Sequence, residues 1–572
     1  MLAAAPRLAR LRAVAGARTP QPWMPSSAWR RPAAAALSSA SASTTRAAPG
    51  APPSSRDRNR QAPRLDESEL ALEEQILGTA HEFLGDEGEV VDVSRGVVSV
   101  VGLADARPND VVQLGDQGLR GFVLRLENRV TKIAALGSSS AAQVRSGAFA
   151  RLLPGDEGKL RAAALDAGQV STPIGVDYWT QEPLPLTLKM TMDSKQGAPT
   201  LPERSIVREQ LWTGILTLDA LYPLGRGTRT ALMGKNPAGM RYVAMNLLSR
   251  QSKLAESDRE VDFAIWLSAG LDQSGIRKTY LDLEAMGALA FTAIVAAPAS
   301  DPWALRALGP AALCAMAEDR AARGENVLVI IDSLGPVGAA LAEVEGARSG
   351  ARVTPLFQPH RYLERLGALQ SGGSVTTLAL LHQDDSTESE QVRDRIAGQV
   401  DTTIDMQGLR SIRAVGARLP GIRAYQAPAL RELAWRLQVR LKEASSAESA
   451  GTIARRLGID PMDEENLGTG LAHAQSLRAL FEADVNDETL TSRAQELLAL
   501  YVAAEGFLEA PSLTTSSQIK PAIAAICEAA RENGLLDQLE NEVLKPSKTL
   551  VSDCPAICQA LDIVIFDTLC KF

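Results

Sequence analysis

Between about residues 205 and 335 the chain alternates short apolar runs with helical stretches: "RTALMG", "RYVAMNLLSRQ", "DFAIWLSAG", "TYLDLEAMGAL", "FTAIVAA", "WALRALGPAALCAMAEDRAARG" and "VLVIIDS". Parallel strands can be joined only through crossovers, and the crossover helices cover the faces of the sheet, so this alternation leaves few folds open. It predicts an α/β domain with a parallel sheet, extending over residues 161–425. Upstream, residues 67–85 have helical spacing, after which "GEVVDVSRGVVSVVGLADARPNDVVQL" switches to short β-branched runs broken by glycine and an Asn-Asp turn. Such runs continue through "GFVLRLENRVTKIAAL" to "GAFARLLPG", which predicts a helix and a small β-barrel over 61–160. Beyond about 425 the periodicity is helical to the end, so 426–572 is expected to be a helical domain.

Composition narrows the function. With 45% hydrophobic and 22% charged residues the chain reads as a globular protein with several cores, and no apolar run approaches the roughly 18–20 residues of a membrane helix. The first 55 residues hold seven arginines and no acid among many Ala and Ser residues, the composition of a mitochondrial transit peptide; a plastid address is the competing reading, and a disordered basic tail is the plainer one. Residues 1–60 are read as leader and linker, with the mature chain beginning between 45 and 65 because the acid-free stretch stops at Asp57. Removing residues 1–55 takes the formal net charge from −8 to −15, which gives nucleic acid nothing to bind. The five cysteines lack metal-ligand spacing, and the Cys554/Cys558 pair is read as packing rather than zinc. The four histidines are isolated in sequence, and no Ser or His motif of a hydrolase is present.

One segment bears on nucleotide chemistry. "ALMGKNPAGMRYVAMNLL" reads as a strand end, Gly234, four loop residues, Gly239 and a helix, the layout of a phosphate-binding loop. A working loop continues with lysine for phosphate charge and a hydroxyl for magnesium. Here Met240 and Arg241 follow.

The chain resembles the alpha subunit of F-type ATP synthase. The resemblance rests on "GEVVDVSRGVVSVVGL", on "SIVREQLWTGILTLDALYPLGRGTRTALMG", and on "VAAPASDPWALRALGPAALCAMAEDRAARGENVLVIIDSL". It continues through "HRYLERLGAL", "QGLRSIRAVG" and "GIDPMDEENLGTGLAHAQSLRALF", so it covers roughly residues 85–510 in order. It implies a RecA-like nucleotide-binding fold between an N-terminal barrel and a C-terminal helical domain. It also implies a place in a ring of alternating alpha and beta subunits around a gamma stalk, with a peripheral stalk, on the matrix face of the mitochondrial inner membrane and without a membrane span. Alpha in that family binds ATP and Mg²⁺ without hydrolysis and lends an arginine to the neighbouring catalytic site.

The resemblance carries over unevenly. The family's G-D-R-Q-T-G-K-T loop aligns with Gly234, Lys235, Asn236, Pro237, Ala238, Gly239, Met240 and Arg241. Both glycines stay, but Met240 removes a charge-assisted phosphate contact worth roughly 1.5–3 kcal/mol, and Pro237 has no N–H for the cradle. Lys235 and Arg241 remain as cations for a degenerate loop. Asp332, at the end of "VLVIID", is the weak metal candidate implied by the family, and equally a turn cap. In the register set by Gly408–Gly416, the neighbour-directed arginine falls on Gly421, flanked by Arg418 and Arg423 as trans-acting candidates or plain surface charges. The implied role is a noncatalytic alpha-type subunit with weak or lost nucleotide binding. A retired paralogue acting as an assembly factor outside the ring is the alternative.

Overall fold

The strand Phe263–Ala269 is buried along its whole length, as is Thr292–Ala297, and strands closed on both faces are what a parallel sheet under crossover helices requires. The computed structural model describes residues 85–349, 360–440, 476, 480 and 492–570, apart from 117, 128–129, 138–143, 193–197, 255–258, 371, 383–392, 395, 407–411, 415–426, 510–515 and 545–548. The expected leader, the helix at 67–85 apart from Gly85, Gly421, Arg418 and Arg423 all lie outside the described residues.

Six antiparallel strands close into a barrel in the order β1-β2-β5-β4-β3-β6: β1 (Glu87–Ser94), β2 (Val97–Gly102), β3 (Val111–Leu114), β4 (Leu119–Leu126), β5 (Val130–Ala135) and β6 (Phe149–Leu152). Its interior is filled by Val90, Val98, Val100, Val112, Val123 and Ile133. The β1–β2 hairpin turns through Arg95 and Gly96, both with positive φ (49° and 80°), a two-residue turn whose twist matches the strands. Trp303 donates its indole N–H to the Arg95 carbonyl (2.9 Å), which ties this turn to the α/β domain.

The α/β domain is an eight-stranded sheet. Its strands are β7 (Val170–Ser171), β8 (Arg229–Gly234), β9 (Phe263–Ala269), β10 (Thr292–Ala297), β11 (Asn326–Ile331), β12 (Ser374–His382), β13 (Thr402–Met406) and β14 (Ile412–Ala414). They lie in the order β14-β13-β8-β12-β11-β9-β10-β7. All pairings are parallel except that of β13 with the edge strand β14. The helices in this domain are α1 (Leu216–Leu221), α2 (Pro237–Lys253), α3 (Gln273–Ala285), α4 (Trp303–Ala322) and α5 (Leu334–Ser349). The sheet therefore has an apolar core on each face, one built on α4 and α5 and one on α2 and α3.

C-terminal to the sheet the described elements are helical, among them residues 428–440, α6 (Arg493–Glu505), α7 (Ser516–Glu532) and α8 (Pro555–Leu569). They share one core around Leu433, Leu498, Ile526 and Leu561. Leu216, Ala220 and Leu221 of α1 belong to this core, and Arg493 at the start of α6 lies over the Trp212 ring (5.1 Å to its centroid) and pairs with the buried Glu260, which together attach the helices to the α/β domain. The barrel, the parallel sheet and the helical C-terminus are thus the α/β architecture read from the sequence. Among the described residues no helix is long and apolar enough to cross a membrane.

Candidate functional site

Strand β8 is central, flanked by β12 and β13, and its C-terminal end is where an open α/β sheet binds ligands. Gly234 closes it, because a side chain there would meet the Met406 carbonyl of β13 at 2.8 Å. The expected loop of four residues is absent: only Lys235 and Asn236 separate β8 from α2. Asn236 is the N-cap, with extended backbone (φ −110°, ψ 98°), and its side-chain oxygen accepts the Gly239 N–H at 3.2 Å. Pro237 follows at the first helical position, where its fixed φ suits a helix and its missing N–H costs nothing. Gly239 therefore lies inside the helix rather than at the end of a loop, and its N–H is spent on the cap. The Lys235 carbonyl faces His382 Nε2 at 3.1 Å, which makes that nitrogen the donor and brings to the site a histidine that is isolated in sequence.

Met240 is buried in the apolar core beneath α2, alongside Leu232, Val243 and Trp266. Arg241 is engaged with its own fold: its Nε stands 3.2 Å from Asp332 Oδ1, and its Nη2 donates to the Thr279 hydroxyl on α3. The Thr279 hydroxyl in turn donates to the Gly275 carbonyl (2.9 Å). The Asp332 side chain is 1% exposed and that of Arg241 23%. The Trp266 indole N–H donates to the second oxygen, Asp332 Oδ2, at 3.1 Å. Burial pushes the Asp332 carboxyl above its usual value, while Arg241 and Trp266 pull it back. Asp332 is therefore not the helix or turn cap that a lone acid at a strand end suggests; it is one half of an internal ion pair.

The sequence-predicted residues thus meet in part. Gly234, Lys235, Gly239, Arg241 and Asp332 converge at the ends of β8 and β11, and Arg418 and Arg423 lie outside the described residues. Asn236, Trp266, Thr279 and His382 belong to the site and were not foreseen. Only Asn236 carried a usable signal, since Asn followed by Pro is a helix-start pattern.

Fold and site together define a nucleotide-binding-type α/β domain carried between a β-barrel and a helical domain. Residues 214–409 match the family "ATP synthase alpha/beta family, nucleotide-binding domain". The chain is 24% identical over 483 residues to ATP synthase subunit alpha of Rickettsia canadensis (strain McKiel), covering 80% of this chain and 90% of that protein. It is 26% identical over 392 residues to the same subunit of Rickettsia bellii (strain OSU 85-389), covering 64% and 74%. For that of Orientia tsutsugamushi (strain Ikeda) the figures are 25% over 451 residues, 74% and 84%. The chain carries an ATP synthase alpha/beta family domain and is a distant homologue of bacterial ATP synthase alpha subunits.

Proposed function

We propose that the chain is a noncatalytic alpha-type subunit of a mitochondrial ATP synthase head, filling alpha positions between beta subunits around gamma and below the peripheral stalk, with nucleotide binding weak or lost. The homology to alpha subunits over most of the chain supports the assembly role. The observation that carries the loss of nucleotide binding is the Arg241–Asp332 ion pair. An acid that would order magnesium in the family is held by a guanidinium from the very position where the family keeps a hydroxyl. The rest of the loop agrees. Met240 offers packing and no charge, Pro237 has no amide hydrogen, and the Gly239 amide is capped by Asn236. These residues do not fit magnesium with a nucleoside triphosphate, because a cation already stands against Asp332, Met240 and Pro237 bring no donor, and the Gly239 amide is taken by the cap. In this reading Arg241 supplies internally the positive charge that a bound metal would bring, so the strand end keeps its shape without ligand.

The test is composition of the native complex. ATP synthase isolated from the organism's mitochondria, analysed by quantitative mass spectrometry, is expected to contain this chain in a stoichiometric ratio to beta. Its absence from intact complex, with enrichment in partly assembled forms, would replace the structural role by the assembly-factor reading.

A further inference from the structure

Helix α8 is buried along one side and carries two large exposed apolar side chains on the other. Its inner face, Ile557, Cys558, Leu561 and Ile565, is buried in the C-terminal core. On the other side Ala556, Gln559, Ile563 and Phe566 are exposed, continued by Cys570 just past the helix end; Ile563 is 63% and Phe566 59% accessible. These positions are spaced by three and four residues, the a and d spacing of a helix that packs against another helix. A surface helix satisfied by one core needs only one apolar stripe. Two large side chains in succession along a second stripe mark a contact surface rather than scattered surface apolarity.

The charges beside the stripe say what kind of helix would fit. Asp562 flanks it on one side and Asp567 on the other, the g and e positions relative to Ile563 and Phe566. Asp562 is held in place by the Tyr501 hydroxyl, which donates to its Oδ1 at 2.8 Å. Acids on both borders repel a second identical seam and attract lysine or arginine at the facing borders. We infer that the outer face of α8 is a docking seam for an amphipathic helix of another protein, with an apolar a/d stripe and basic flanks. The occupant seats its apolar residues around Phe566 and Ile563 and sets its cations against Asp562 and Asp567. This surface is remote in sequence from residues 214–409 and does not depend on whether nucleotide binds.

The probe is a synthetic helical peptide with Leu at every a and d position and Lys at every e and g position, compared with its twin carrying Glu at e and g. Fluorescence anisotropy with the full-length protein at low salt is expected to show the Lys peptide binding at least tenfold tighter than the Glu peptide. Replacing Ile563→Ala with Phe566→Ala should weaken it at least tenfold, with an unchanged circular-dichroism melt because both side chains are exposed. A second variant, Asp567→Lys, leaves the stripe intact and should narrow or reverse the preference between the peptides. Equal affinity for the two peptides, no binding of either, or binding that survives the double alanine change would overturn the inference. Sedimentation showing self-association that the same double change abolishes would overturn it too, assigning the seam to a second copy of this chain.

Discussion

Arg241→Met removes the cation of the internal ion pair and keeps most of the side chain's apolar stem. Its cost follows from the geometry. The Asp332 carboxylate is closed to solvent; it accepts a hydrogen bond from the Trp266 indole on Oδ2, while Oδ1 has the Arg241 guanidinium as an ion-pair contact without a hydrogen bond, so removing Arg241 leaves that oxygen with neither. Removing one partner of a fully buried pair costs about 3–5 kcal/mol. Because Arg241 is partly exposed, solvent already screens part of the attraction, so about 2–3 kcal/mol is expected at pH 8. In a domain of this size that is a fall in melting midpoint of roughly 5–10 °C. The pH dependence has a definite sign. The folded Asp332 carboxyl already lies above its unfolded value through burial, and losing Arg241 raises it further. An acid with a raised folded pKa takes up a proton on folding, so the stability linked to it is present at low pH and lost as pH rises through the folded value. The deficit of the variant should therefore be largest at pH 8 and shrink as pH is lowered. Asp332→Asn should cost less than Arg241→Met, because a partly exposed arginine still reaches water whereas the buried carboxylate does not. The double variant should recover much of the loss. Circular-dichroism melts and urea denaturation of the four proteins give the cycle. A cost below about 0.5 kcal/mol for Arg241→Met, or single effects that add within about 0.5 kcal/mol, would refute the ion pair as a structural element.

Three further outcomes are expected. Asn236→Ala should destabilise by about 1 kcal/mol, and Asn236→Asp by less, because the side-chain oxygen that accepts the Gly239 N–H is the cap of α2; urea midpoints measure both. Asp219 is buried and accepts bonds from the Thr213 and Gly214 amides, and burial pushes its carboxyl up to about 6. Its contribution to stability should be greatest below about pH 4 and fall as pH rises through 6, so the stability of the native protein relative to Asp219→Asn should decline across that window by something of the order of 2–3 kcal/mol in urea titrations. Terminal sequencing of the organellar protein is expected to find the mature chain starting between residues 45 and 65; an intact Met1 would remove the reading of a cleaved leader.

What could be read from the sequence follows from how local each feature is. The barrel is legible because its strands are short β-branched runs broken by glycines and by the Asn109-Asp110 turn, which are local features. The sheet is legible through continuous apolar runs such as "FAIWLSA". The edge strand β7 is not, since two residues carry no periodicity. At the site the spacing of Gly234 and Gly239 invited a loop reading, while Asn236-Pro237 between them starts a helix; the cap won because it satisfies an amide that a bare loop would leave to a ligand. The pairing of Arg241 with Asp332 joins the start of α2 to the end of β11, far apart in sequence, and its support from Trp266 and Thr279 depends on which elements are neighbours. No local pattern encodes that. Arg418 and Arg423 keep the standing the sequence reading gave them, as candidates awaiting a functional test.

The proposed closure of the nucleotide site by Arg241 and Asp332 is tested most directly by calorimetric titration of the full-length protein with ATP, with and without magnesium. The titration is repeated on Arg241→Thr, which restores the hydroxyl and frees Asp332 while leaving the buried Met240 in the core. The native protein should give no magnesium-dependent binding heat, and the variant should bind more tightly with magnesium than without. Tight, magnesium-dependent binding by the native protein, abolished by Asp332→Asn, would contradict the closure and return this strand end to the nucleotide.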